Sequence, residues 1–328
     1  MLRAMPVAIR FHQHGGPEVL RVEEFDPGKP APHEVQVRHT AMGVNYIDVY
    51  DRTGLYPTAL PSGLGREAAG VVAALGRGVR GFRLGERVAY VFSTPGAYSE
   101  LRNVPAERLV KIPAGVSDEQ AAALMLKGLT AHFLIRRTYK VQKGDAILVH
   151  AAAGGVGSIL VQWAKALGAR VIGVVGSEAK AEVAKKLGCR QVLISGRDEL
   201  VAGVKAATKG AGVAAVYDGV GKDTFMESLD CIRRLGIMVS YGNASGPPPA
   251  ISPLELSRRG SLYLTRPTLF NYIATREELA LGARELFAAV KSKKVRVVIG
   301  QRYPLADAAE AHRDLEGRRT TGSSVLLP

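Results

Sequence analysis

Residues 146–157, Ala-Ile-Leu-Val-His-Ala-Ala-Ala-Gly-Gly-Val-Gly, read as an apolar strand that passes through a glycine turn into a helix. Ala146-Ile147-Leu148-Val149 is a short unbroken apolar run, which a parallel strand needs when both of its faces are covered. Downstream, Val156, Ile159, Leu160, Trp163, Ala164 and Leu167 recur at helical spacing, and Gly168 supplies a stop. Glycines let the backbone approach a pyrophosphate, and the unpaired N–H groups and positive dipole end of the helix bind the anion. The strict G-x-G-x-x-G pattern is not met, because Gly155 and Gly157 are followed by Leu160. Ala151, Gly154 and Gly157 form A-x-x-G-x-x-G instead. Such turns also occur without a ligand, so it is the strand-turn-helix context that carries the dinucleotide reading.

The next strand, Arg170 to Val175, ends where a unit binding NAD offers a carboxylate to the ribose 2′-hydroxyl. Gly176, Ser177 and, one turn into the following helix, Lys180 stand there. Removing the acid removes repulsion toward a 2′-phosphate, while a hydroxyl and an ammonium supply donors to it. NADPH is favoured over NADH on this ground. The plain alternative makes Lys180 a solvated helix lysine.

With 328 residues, 47% of them hydrophobic, and 37 glycines, the chain can bury two substantial cores. It has no stretch of about 18 apolar residues, and Met1-Leu2-Arg3-Ala4-Met5-Pro6-Val7-Ala8-Ile9-Arg10 lacks the apolar core of a secretory signal. A cytoplasmic protein without a membrane span is expected. Cys189 and Cys231 are too few for a disulfide framework or a cysteine-based zinc site, so no metal is expected. The net charge is +14, from 44 Lys and Arg against 30 Asp and Glu. The basic residues are spread along the chain, often beside acids as in Arg197-Asp198-Glu199, and pairs such as Lys293-Lys294 carry no interleaved aromatics. That describes a solvated basic surface better than a nucleic-acid interface.

Up to about residue 125 the chain reads as short strands between turns: Ala4 to Phe11, Leu20 to Phe25, Glu34 to Gly43, Ala69 to Leu75, Arg87 to Val91 and Tyr98 to Val104. A helix near Asn45 to Arg52 interrupts them, and another starts at Ser117, whose Ser-Asp-Glu-Gln is a capping box. From Lys127 to Arg266 strand and helix alternate, with further strands at Gln191 to Ile194, Val213 to Tyr217, Ile237 to Tyr241 and Leu262 to Thr265. Helices are expected at Lys180 to Leu187, Asp198 to Thr208 and Thr224 to Leu229. The fold class is therefore α/β, a barrel-like β domain with an inserted doubly wound parallel sheet. Gly176-Ser177, Asp218-Gly219 and Tyr241-Gly242-Asn243 each close a strand where a cofactor passes. After Arg266 follow a helix (Glu277 to Ser292), a strand (Val295 to Ile299), a helix (Leu305 to Glu316) and a last strand (Ser323 to Leu327). Residues 1–126 and 267–328 thus make up the β domain from both ends of the chain, and residues 127–266 form the insert.

These segments together resemble the zinc-independent quinone oxidoreductases, the zeta-crystallin-like branch of the medium-chain dehydrogenase/reductase superfamily. The likeness rests on Gly15-Gly16-Pro17-Glu18-Val19-Leu20, Gly43-Val44-Asn45-Tyr46-Ile47-Asp48, Lys127-Gly128-Leu129-Thr130-Ala131, the glycine turn, Tyr217-Asp218-Gly219-Val220-Gly221, Leu264-Thr265-Arg266-Pro267 and the closing Gly322 to Pro328. It implies a GroES-like catalytic domain, an inserted Rossmann domain, NADPH as electron donor and a homodimer. Zinc-dependent relatives carry a metal-binding Cys where this chain has Asn45, and Gly-His-Glu where it has Gly65-Arg66-Glu67. Both changes remove a metal ligand. The resemblance places Asn45, Tyr50, Tyr56, Thr130 and Arg266 beside nicotinamide and quinone, with Arg266 compensating charge on the acceptor oxygen; the plain alternatives make Arg266 a salt bridge holding the domain hinge and Tyr50 and Tyr56 core residues. Asp48 is expected near the cofactor amide or ribose, with a plain helix-turn residue as the alternative. Gly154, Gly155 and Val156 meet the pyrophosphate, Ser177 and Lys180 the 2′-phosphate, Asn243 the nicotinamide side and Arg318 the phosphates. Where relatives often have a tyrosine near the adenosine phosphate, this chain has Ser195.

The implied reaction is hydride transfer from C4 of NADPH to a quinone held between the domains, which needs no metal because quinones are easily reduced. Two rival readings remain: reduction of an activated C=C bond in an alkenal or enone, and an NADPH-responsive RNA-binding protein.

Overall fold

The computed structural model describes residues 5–328, and the chain divides into two units. The first holds the chain up to Leu129 together with Ile273–Lys291 and Val297–Pro328, and the second holds Thr130–Tyr272 and Ser292–Arg296.

The first unit begins with β1 (Val7–Phe11), β2 (Arg21–Glu24), β3 (Glu34–Val44), β4 (Ser62–Gly63), β5 (Glu67–Leu75), β6 (Arg87–Val91), β7 (Leu101–Pro105) and β8 (Leu109–Lys111). Ala4, at the start of the expected first strand, lies outside the described residues. Helix α1 (Tyr46–Thr53) follows β3, with Asn45 as N-cap and Gly54 in the left-handed conformation (φ 80°) ending it. Helix α2 (Asp118–Ala122) starts from the Ser117 capping box, whose Oγ accepts from Gln120 N–H at 3.1 Å. Helix α3 (Met125–Phe133) comes next.

The second unit carries β9 (Ala146–Val149), α4 (Gly155–Ala166), β10 (Arg170–Val175), α5 (Glu178–Leu187), β11 (Gln191–Ile194), α6 (Leu200–Ala207), β12 (Val213–Asp218), α7 (Phe225–Asp230), β13 (Ile232–Ser240), α8 (Leu254–Arg258), β14 (Tyr263–Thr265) and α9 (Leu269–Tyr272). Its six strands are all parallel, in the order β11-β10-β9-β12-β13-β14. Every residue of β9 and β12 is buried, as central strands covered on both faces must be. The chain winds outward from β9 through β10 to β11, then returns to β12 on the other side. The carboxyl ends of β9 and β12 therefore flank the switch in strand order, where such sheets bind ligands.

The chain then adds α10 (Arg276–Lys291), β15 (Ile299–Pro304), α11 (Ala308–Glu316) and β16 (Ser323–Leu327) to the first unit. Its larger sheet runs β15-β16-β3-β5-β6-β8 with β7 on β3, and β2-β1-β4 form a second sheet. Phe11, Met42, Leu64, Tyr90, Tyr98 and Leu109 are fully enclosed in its core. The architecture is the α/β class that the residues imply, a β domain with a doubly wound parallel sheet.

One expected strand is corrected. Residues 295–298 are not a strand, because the backbone of Arg296 is claimed by a side chain: its N–H donates to Gln162 Oε1 at 2.9 Å and its carbonyl accepts from Gln162 Nε2 at 3.0 Å. Pairing begins only at Ile299, where β16 offers Ser323 as its partner.

Candidate active site

In the second unit the glycine turn is built as a phosphate cradle. Ala151 takes a positive φ of 49°, Gly154 N–H donates to Ala151 O at 2.8 Å, and Gly154 is the N-cap of α4. A Cβ at Gly157 would lie 2.2 Å from Ala151 O, so this glycine lets the helix close against the turn. Gly154, Gly155 and Val156 remain partly exposed, in the first turn, where backbone N–H groups have no helical carbonyl to bind. An anion fits there.

The neighbouring strand ends fit the rest of a dinucleotide. After β10, Gly176 is exposed and Ser177 caps α5, its Oγ accepting from Lys180 N–H at 3.4 Å. The hydroxyl keeps its own proton to donate, and Lys180 is half-buried beside it. The turn after β11, Ser195-Gly196-Arg197, sets the Arg197 guanidinium on Glu178 in the first turn of α5 and on Asp198 Oδ1 at 2.9 Å. After β12 the Asp218 carboxylate accepts from Val220 N–H (2.7 Å), Gly221 N–H (3.2 Å) and the Thr224 hydroxyl (2.9 Å), which fixes that loop. A Cβ at Gly242 would meet Gly219 O at 2.4 Å, so the loops after β12 and β13 touch through their glycines, with the Tyr241 ring over Gly219. Arg266, just past β14, donates to Ser240 O at 2.8 Å and, with the Asn243 amide turned so that both its ends are satisfied, to the Asn243 oxygen at 3.1 Å. Thr130 lies buried on α3.

In the first unit Asn45, Tyr50 and Tyr56 gather on α1 and the loop after it. The Tyr46 and Tyr50 rings lie 5.7 Å apart and those of Tyr50 and Tyr56 5.1 Å apart, edge to face. Arg318 is exposed just beyond α11, where its charge acts on the Tyr46 hydroxyl, whose pKa burial pushes up.

Asp48 is corrected. It is fully enclosed, and its Oδ2 accepts from Asn45 N–H and the Tyr98 hydroxyl, both at 2.8 Å, so it closes the first turn of α1 rather than reaching a cofactor. Burial pushes its pKa up to about 7 despite those donors. Behind it Arg52, also enclosed, donates to His312 Nδ1 at 3.1 Å, and burial holds that imidazole down at about 3.

Two further residues join Asn45, quoted in the sequence but given no role there: Glu67 and Lys127. Asn45 Nδ2 donates to Glu67 Oε1 at 2.8 Å, and Lys127 Nζ sits 3.1 Å from the same oxygen. Arg66 is committed elsewhere, its Nε and Nη2 on the two Asp51 oxygens at 2.9 and 2.7 Å. A zinc ion has no donor set here, since an amide, a guanidinium and a carboxylate already holding an ammonium replace soft or imidazole ligands. In the sequence Glu67 stands in Gly65-Arg66-Glu67 and Lys127 in Lys127-Gly128-Leu129-Thr130-Ala131, with nothing to join them to Asn45.

Comparison with known proteins gives the same outline. Residues 31–114 match the family described as alcohol dehydrogenase GroES-like domain, and residues 155–288 match that described as zinc-binding dehydrogenase. A quinone oxidoreductase of Salmonella typhimurium is 53% identical, covering 99% of this chain and 100% of its own length. A crystal structure of Escherichia coli quinone oxidoreductase complexed with NADPH has a TM-score of 0.96 at 50% identity, covering 98% of this chain and 100% of that one. A 2-haloacrylate reductase of a Burkholderia species is 45% identical over 99% of each chain.

Proposed function

Because the chain belongs to the quinone oxidoreductases of the medium-chain dehydrogenase/reductase superfamily, we infer that it reduces quinones with NADPH and does so without a metal. The observation that carries this reading is the switch-point cradle of the second unit, where helix N–H groups, a serine hydroxyl and a lysine converge with no acidic residue closing β10. Gly154, Gly155 and Val156 hold the pyrophosphate through their backbone. Ser177 and Lys180 donate to the 2′-phosphate, and Gly176, Gly219, Tyr241, Gly242 and Asn243 let the rest of the cofactor lie close to the strand ends. NADPH, when bound, supplies the hydride from its nicotinamide. Arg266, anchored by Ser240 and Asn243, compensates negative charge on the acceptor oxygen as it develops. Asn45 and Thr130 orient nicotinamide and acceptor, Tyr50 and Tyr56 stack on the quinone ring, and Arg318 reaches a cofactor phosphate.

The protein works as a homodimer in the cytoplasm. Its unpaired outer strand β14, with Tyr263 and Leu264 exposed, supports the first, and two buried free thiols support the second. No helix among the described residues is long and apolar enough to cross a membrane.

The likeness to a 2-haloacrylate reductase supports a second reading, reduction of an activated C=C bond. Steady-state NADPH oxidation separates the two. Turnover on 1,4-benzoquinone and 9,10-phenanthrenequinone should exceed that on 2-chloroacrylate and 2-alkenals; the reverse order makes the alkene the substrate.

A further inference from the structure

The Glu67 carboxylate is completely enclosed at the start of β5, and three donors converge on it: Asn45 Nδ2, Lys127 Nζ, and Leu126 N–H on Oε2 at 2.5 Å. The strands dictate the meeting. Met42 pairs with Ala68 across β3 and β5, so the next step brings Gly43 opposite Glu67. A Cβ at Gly43 would lie 2.2 Å from Glu67 Oε1, and only glycine leaves room for the carboxylate. Asn45, two residues on, caps α1, and Lys127 enters from the first turn of α3, itself 5% exposed.

We propose that Glu67 and Lys127 are positioning residues, an ionic clamp that fixes the orientation of the Asn45 amide for the reaction. An ionised carboxylate only accepts hydrogen bonds, so the amide must turn its NH2 end to Glu67 and its carbonyl end away. Lys127 balances the buried charge and bonds the same oxygen that holds Asn45. A carboxylate stripped of this partner in such an enclosure is strongly disfavoured. With a neutral group at position 67 that both donates and accepts, only the long 3.4 Å bond from Asn45 Nδ2 to Gly43 O still favours one way round for the amide. The clamp thus uses Asn45 and Glu67, positions at which the resemblance gives zinc-dependent relatives a metal-binding Cys and the Glu of Gly-His-Glu.

This inference rests on Asn45 belonging to the active site, so the experiment includes that residue. Glu67→Gln and Lys127→Met are expected to lower kcat on 1,4-benzoquinone at least tenfold while the Kd for NADPH, read by fluorescence titration, stays within about twofold. Lys127→Arg should recover most of the loss. Wild-type kcat in folded Glu67→Gln and Lys127→Met, or a loss confined to NADPH binding, overturns the clamp. If Asn45→Ser leaves kcat unchanged, the assignment of Asn45 falls and the clamp with it; if Asn45→Ser is slow and the other two are not, the clamp alone falls. The unsubstituted protein gives a check that needs no variant to fold. With asparagine-selective 15N labelling, the Asn45 side-chain amide protons, identified by their loss in Asn45→Ser, should exchange slowly with water, and fast exchange contradicts the clamp.

Discussion

In the proposed function, cofactor choice turns on Lys180. Its backbone N–H is held by the Ser177 cap, so its side chain leaves α5 from a fixed point beside the end of β10. A charge-assisted hydrogen bond contributes roughly 1.5–3 kcal/mol, which corresponds to about a ten- to hundredfold change in binding. Lys180→Ala is therefore expected to raise KM for NADPH by about that factor and to leave KM for NADH nearly as it was. Equal changes for the two cofactors remove Lys180 from the 2′-phosphate. Ser195 gives the site no aromatic partner, and the nearby Arg197 is paired with Glu178 and Asp198. Other residues serve shape alone. Gly157 and Gly43 matter because a Cβ would strike Ala151 O or Glu67 Oε1. The Cys189 and Cys231 thiols are pushed up to about 12 by burial, which makes them apolar filler rather than nucleophiles.

At the scale of elements, β14 ends the six-stranded sheet with an unpaired edge, and Tyr263 (61% exposed) and Leu264 (39%) stand in the open on it. The strand is only three residues long, but an apolar edge left bare still offers backbone groups for pairing with another chain. If the proposed homodimer forms through this edge, Leu264→Lys together with Tyr263→Glu should give monomers in sedimentation velocity where the unsubstituted protein gives dimers, with the fold intact by circular dichroism; a monomeric unsubstituted protein, or a dimer that survives both changes, contradicts it. The elements themselves were largely legible. Arg87–Val91, Gln191–Ile194 and Ser323–Leu327 read to the residue, because apolar runs bounded by turn residues report their own limits. Residues 295–304 did not, since the partner that ends one segment is Gln162, far away in the chain, and the partner that starts the next is β16. The same reason hides the clamp, whose Lys127 and Glu67 lie 60 positions apart and meet only through the β3–β5 register. Asp48 was open for the opposite reason: a polar residue close to Asn45 in sequence can cap a turn or face a ligand, and only the structure shows it enclosed, with the Tyr98 hydroxyl on its Oδ2.

For the molecule as a whole, each unit has its own apolar core and its own group of polar residues at strand or helix ends. The second unit offers anion-binding backbone and the Arg266 guanidinium, and the first offers Asn45 on its ionic clamp with three tyrosine rings beside it. In the proposed function the charge that a metal would bring to the acceptor comes from the Arg266 guanidinium. The most direct measurement is NADPH oxidation with 1,4-benzoquinone by protein stripped with a strong chelator and assayed with and without added zinc. The account predicts full turnover in the stripped protein and no gain from zinc. Absence of NADPH oxidation, or activity that returns only with the metal, would contradict it.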